Sequence, residues 1–90
     1  MSGSNKEEPQ GKDIALAEKA AQRAGASTKH ARIIALEVVA EKHDDIAASH
    51  RQTAAYTERS QDRQRYQTAA KLAEQTARTL RQQAKEIQEL

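Results

Sequence analysis

The chain has 90 residues, 31% of them charged, a formal net charge of +2, two tyrosines without any Phe or Trp, and no cysteine. It can form one small domain at most, disulfides cannot staple it, and thiol chemistry and cysteine-ligated zinc are excluded. The excess of basic over acidic side chains is three over residues 46–90, against a deficit of one over 1–45, far from the dense basic patch of a dedicated nucleic-acid binder.

Residues 1–12, MSGSNKEEPQGK, hold two of the three glycines and the only proline, with no apolar residue after Met1. This composition predicts a disordered tail. Without an apolar stretch it is not a secretory leader, and no run of about 18 apolar residues follows that could span a membrane, so a cytoplasmic location is expected. Asp13 is placed to cap a first helix over about 14–24, with Ile14, Ala17, Ala20, Ala21 and Ala24 on one stripe. Gly25 offers the left-handed stop after its last turn, and Ser27 or Thr28 caps the next start.

After Gly25 there is neither glycine nor proline. Such a run of good helix formers, apolar at every third or fourth position, is one very long helix or a helix folded back on itself. A second helix is predicted over 28–59. At 100° per residue one arc of it collects Ile33, Leu36, Val39, Ala40, His43, Ile46, Ala47, His50, Ala54 and Thr57. A second apolar face, Ala31, Ile34, Ala35 and Val38, is expected to be covered by the first helix. A third helix over 63–89 has a wide stripe from Tyr66 through Leu72, Leu80 and Ile87. Between them SQDRQR (60–65) carries no apolar anchor, which places a reversal there, with Ser60 or Asp62 as the new cap.

The expected fold is therefore all-α: a tail over 1–12, then a single domain over 13–90 made of a short N-terminal helix and a long antiparallel helical hairpin, coiled-coil-like, with arms of about 45 Å. The competing arrangement is a continuous rod over 28–90 that dimerises. Alanines recur every seven residues on both arms, at 40, 47 and 54 and at 70, 77 and 84, which favours two helices in close antiparallel contact.

His43 and His50 fall in the middle of the main arc, about 10.5 Å apart along the axis. Chelation within a helix needs spacings of three or four, and the residues four away, Val39, Ala47, Ile46 and Ala54, are not ligands. No metal or other cofactor is expected. The two histidines read first as hydrogen-bonded seam residues and second as a pH-sensitive seam, because burial disfavours a charged imidazole. Glu37, Glu41, Asp44 and Asp45 read as a solvated face paired by Lys42, Arg51 and nearby basic groups, since no concave pocket is foreseen to tune them for acid–base work. Arg51, Arg59, Arg63 and Arg65, with Tyr56 and Tyr66, gather at the proposed tip and could grip phosphate and stack on bases, though Glu58 and Asp62 intervene.

No catalytic constellation or small-molecule site emerges. With few large apolar residues, a core of this size supplies only about 3–5 kcal/mol, so a partner, either a second copy in a dimer or another helical protein, is expected to add stability. The expected function is non-enzymatic helix–helix interaction. Ile34, Val38, Leu72, Ile87 and Leu90 are the interface candidates, because a two-arm seam has no room for all of them.

Overall fold

The computed structural model describes residues 9–90, which form three α-helices: α1, Pro9–Arg23; α2, Thr28–Ala55; and α3, Ser60–Gln88. No strand occurs among the described residues. α2 packs along α3, and α1 packs on α2. The longest dimension is 48 Å, whereas a straight helix over 28–90 would reach about 95 Å. The chain therefore folds back, and the rod is excluded. No helix among the described residues is long and apolar enough to cross a membrane.

The start of α1 corrects the expected tail. Its first eight residues lie outside the described ones, but Pro9 to Lys12 are helical. Proline suits a first turn, where an N–H has no intrahelical acceptor and a fixed φ is already helical. Asp13 consequently lies inside α1 and caps nothing; its carboxylate accepts from Lys42 Nζ at 3.1 Å. The other end behaves as expected. Gly25 has φ +105°, the Ala26 N–H donates to the Ala21 carbonyl at 3.0 Å and the Gly25 N–H to that of Gln22 at 3.0 Å. These two bonds are the Schellman pair that satisfies the last carbonyls of a helix. Ser27 then caps α2, its hydroxyl accepting from the His30 N–H at 3.2 Å.

The reversal exists but comes earlier than expected. α2 ends at Ala55, residues 56–59 make the turn, and SQDRQR forms the first turns of α3. The turn is held by its own polar groups rather than by glycine. The Thr57 hydroxyl donates to the Thr53 carbonyl at 2.6 Å, and the Arg63 guanidinium donates to the Thr57 carbonyl at 3.3 Å. Neither Ser60 nor Asp62 is the cap. That position is Arg59, extended at φ −75°, ψ 126° and without a side-chain bond to the helix. Asp62 instead places negative charge in the first turn of α3, where the exposed N–H groups favour it.

Two ion pairs set the register of the hairpin. Arg81 donates to Asp44 at 2.6 Å, and Arg51 donates to Glu74 through Nη2 at 2.7 Å and Nε at 3.0 Å. Seven residues forward on α2 correspond to seven residues back on α3. This brings Ala40, Ala47 and Ala54 level with Ala84, Ala77 and Ala70, and all six are buried. Methyl groups at these levels let the helices approach toward the short end of the usual ~8–10 Å. The charged face of α2 is thus not the self-paired cluster expected: Lys42, Asp44 and Arg51 all reach across to other helices.

The core is unequal along the hairpin. Toward the chain termini Ile14, Ile33, Leu36, Val39 and Leu80 pack with alanines, with Ala17 and Ile87 at the edge. Toward the turn the second cluster is Ala47, Ala70 and Ala73, with Ile46 half-buried beside it. α1 has 15 residues against 28 in α2, so it covers only about half of α2's length.

Candidate functional site

α1 does not cover the second face of α2 as expected. It takes Ala31 and Ala35, which are buried, and leaves Ile34 and Val38 at 41% and 50% exposure. Two alanines one turn apart give a helix room to dock. The ion pairs Arg32–Glu18 at 3.2 Å and Lys42–Asp13 at 3.1 Å then hold it there. Ile34 and Val38 remain on the far side in a shallow depression with Glu37, Glu41 and Arg81. Arg81 is rimmed by carboxylates; its hydrogen bond to Asp44 first, and the nearby charges of Asp44, Glu41 and Glu37, raise its pKa against the opposing cost of burial.

The other interface candidates are scattered. Leu72 stands 60% exposed on α3 and Leu90 is 93% exposed at the chain end. Ile87 is half-buried and packs on the core edge. The five residues do not make one patch.

The histidines lie at the edge of the seam rather than inside it. His43 and His50 are both half-exposed, and no polar or charged side chain is buried among the described residues. His50 leans toward the turn, its ring 6.1 Å from that of Tyr66, in a groove with Thr57, Asp62, Arg65 and Ala69. No group of three or more His, Asp or Glu side chains among the described residues is arranged to hold a metal ion.

The arginines at the tip are partly committed to the fold. Arg51 is clamped on Glu74. The hydrogen bond from Arg51, followed in weight by an opposing desolvation cost, leaves the Glu74 carboxyl below the usual carboxylate range. Arg63 holds the turn, and Arg65 approaches Asp62 at 3.9 Å. Tyr56 is exposed beside them, while Tyr66 faces His50. A phosphate-gripping row of four free guanidinium groups is not what these contacts build.

One surface was not singled out from the sequence. Between residues 66 and 84 the charged side chains of α3 are Lys71, Glu74, Arg78 and Arg81, and at 100° per residue they share an arc of roughly 80°. The adjoining wall of the helix, from Gln61 to Gln83, presents Gln64, Thr68, Leu72, Gln75 and Thr79, bordered by Lys71 on one side and Arg65 on the other. Two grooves run end to end along this wall. One, of about 480 Å³, lies over Gln61, Gln64, Arg65, Thr68, Ala69 and Leu72. The other, of about 540 Å³, is shared with Gln10, Gly11 and Ile14 of α1 and runs over Gln75, Thr76, Thr79, Leu80 and Gln83. The signal was available in the sequence as a sorting of charge around α3; an apolar-stripe search passes over it because the wall is neutral rather than hydrophobic.

Comparison with protein-family models, with curated proteins and with solved structures gives no match. Function has to be read from the surface itself.

Proposed function

We propose that the protein is a non-enzymatic interaction module that works by helix–helix packing, either with a second copy of itself or with another helical protein. The observation that carries this reading is the half-length of α1. Among the described residues nothing packs on α2 and α3 beyond the Pro9 end of α1, and there Ile46 and Ala69 are half-buried and Leu72 is exposed. A pair of helices buries one side of each, and a further helix laid along the open side would remove more apolar surface from water. The side chains nearest Leu72 are mostly hydroxyls and amides, with Arg65 and Asp62 toward the turn, which suits an interface whose centre is depleted of charge and whose rim is polar. In such an assembly the incoming helix would lie in a coiled-coil-like seam with α3.

A photo-crosslinking amino acid at position 72, compared with one at the exposed position 48 on α2, tests this in cells. Adducts to a protein, whether a second copy or another chain, are expected at 72 and in much lower yield at 48. Equal yields at the two positions would remove the interaction reading.

A further inference from the structure

From the way α1 is held we infer that it is a displaceable cover: it leaves α2 as a unit while the α2–α3 hairpin stays folded, and a partner helix longer than α1 takes its place. The exchange of occupants rests on the interaction function proposed above; the opening does not.

α1 is lightly attached. No Cα atom of α1 lies within 8 Å of one in α3, so its backbone rests on α2 alone. Of its described side chains only Ile14 and Ala21 are buried, and its other large apolar residue, Leu16, is 66% exposed. Ile14 reaches the shared core, but the first turns of α1 stand off α3. A crevice of about 540 Å³ lies open there, between Gln10, Gly11 and Ile14 on one side and Thr76, Thr79 and Leu80 on the other. The ion pairs Arg32–Glu18 and Lys42–Asp13 join exposed groups and contribute little. A helix of 15 residues with a glycine in it is at the margin of stability in water by itself, so α1 loses its helix when it leaves α2.

The hairpin has its own supports. α2 is started locally: the Ser27 hydroxyl accepts from the His30 N–H, and the Ser27 carbonyl accepts from the Ala31 N–H at 2.7 Å. Gly25, at φ +105°, is the joint between this cap and the last turn of α1. The ion pairs Asp44–Arg81 and Arg51–Glu74 and the buried alanines of the seam join α2 to α3 without α1. Ile33, Leu36 and Ala40 lie with Ala47 and Ala54 on an arc of roughly 60° on α2, so part of the larger apolar core also belongs to the hairpin.

The stripe that α1 covers does not end with it. Ala31, Ala35, Val39 and Ile46 share an arc of roughly 80° on α2. The first three are buried, and Ile46 is only half-buried. Lys42 pairs with Asp13 and Arg32 with Glu18, so α1 runs antiparallel to α2 and its Pro9 end lies level with Ile46. A partner helix over Ile46, Ala69 and Leu72 can extend along the stripe only where α1 sits. Its longer footprint removes more apolar surface from water than α1 does, so the two compete. The apparent affinity for the partner then falls as the closed fraction of α1 rises.

Native-state hydrogen exchange of the full chain tests the opening. The amides of residues 14–24 are expected to exchange together, with protection at least about tenfold below that of residues 36–40. Ala70→Leu, which disturbs the hairpin, leaves α1 exchange at the wild-type rate. The chain lacks cysteine, so a short bis-maleimide across Asp13→Cys and Lys42→Cys ties α1 down, and its protection then rises to that of residues 36–40. The photo-crosslinking yield at position 72 tests the competition. Ile14→Ala removes the main anchor of α1, shifts its opening by about 30-fold or more and raises the yield. Gly11→Ala adds helix propensity with a methyl group that meets no atom within 4 Å, and lowers it.

Protection over 14–24 equal to that over 36–40 in the untethered chain overturns the inference. So does α1 exchange that Ala70→Leu accelerates along with the rest, because α1 then opens only when the whole chain unfolds. Adducts at 72 in the same yield for wild type, Ile14→Ala and Gly11→Ala overturn displacement by a partner. Absence of adducts at 72 in every variant removes the interaction function and the displacement with it, while the exchange result still decides the opening.

Discussion

The two halves of the hairpin solve the same packing problem with different side chains. Where α1 lies on α2, the interior holds isoleucine, leucine and valine; near the turn it is nearly all alanine. The difference follows from the number of helices present. Two cylinders in contact share a narrow line, which methyl groups fill and larger side chains would wedge open. A third helix closes a space beside that line, and Leu36, Val39 and Leu80 occupy it. A large, fully buried apolar side chain is thus a mark of three-helix surroundings in this protein, and a run of buried alanines marks a two-helix stretch whose flank is open.

Substitutions should separate the halves. The largest effect is expected from Leu36→Ala, which empties a buried site among three helices and should cost about 2–5 kcal/mol in urea unfolding followed by circular dichroism. Ile46→Ala, in the half-open region, should cost less than half as much; equal losses would show that the two regions are not packed differently. Next comes Ala70→Leu, which inserts bulk where the arms touch and should cost about 1–3 kcal/mol, with faster amide exchange confined to the turn half. Exchange raised equally over Ile33–Val39 would mean the halves are a single cooperative unit.

A smaller loss of about 1–2 kcal/mol is expected for Gly25→Ala. An added methyl group there meets no atom within 4 Å, so the cost is that of the positive φ alone, and it should loosen α1 and hence the three-helix half first. The smallest effect belongs to Glu74→Gln at the exposed clamp with Arg51. The Glu74 pKa is lowered by folding, so its contribution to stability is fully present above the ordinary carboxylate range and is lost as the pH falls through that range and below. The stability gap between wild type and Glu74→Gln should therefore be widest at neutral pH and close in acid. It should also shrink with added salt. A gap that grows on acidification would contradict the assigned cause.

Much of the fold was legible in the chain, because its main signals are local. Gly25 and Ser27 mark the first boundary by backbone conformation and capping, which depend on a few neighbouring residues. The boundaries at Pro9 and at 56–59 were less legible. Proline and glycine in a polar segment suggest coil unless proline opens the first turn. A turn without glycine has no composition of its own, and its position came from Thr57 and Arg63 bonding across it. The candidate surface was harder still to read. Ile34 and Leu72 are similar apolar entries in a helical pattern, yet one lies beside Glu37, Glu41 and Arg81 and the other on a neutral wall.

By itself the sequence determined that this protein is helical, that its first helix stops at Gly25, and that its two long arms meet on alanines spaced seven apart. Each of these follows from the preferences of residues within a turn or two of one another, or from a repeat that any antiparallel neighbour would read the same way. Only the tertiary structure decided which face of α2 the first helix occupies, which charges cross between helices, and which wall of α3 is left open. Those outcomes depend on competition among distant surfaces for the same space, and a helical pattern lists the competitors without saying which contacts exclude the others.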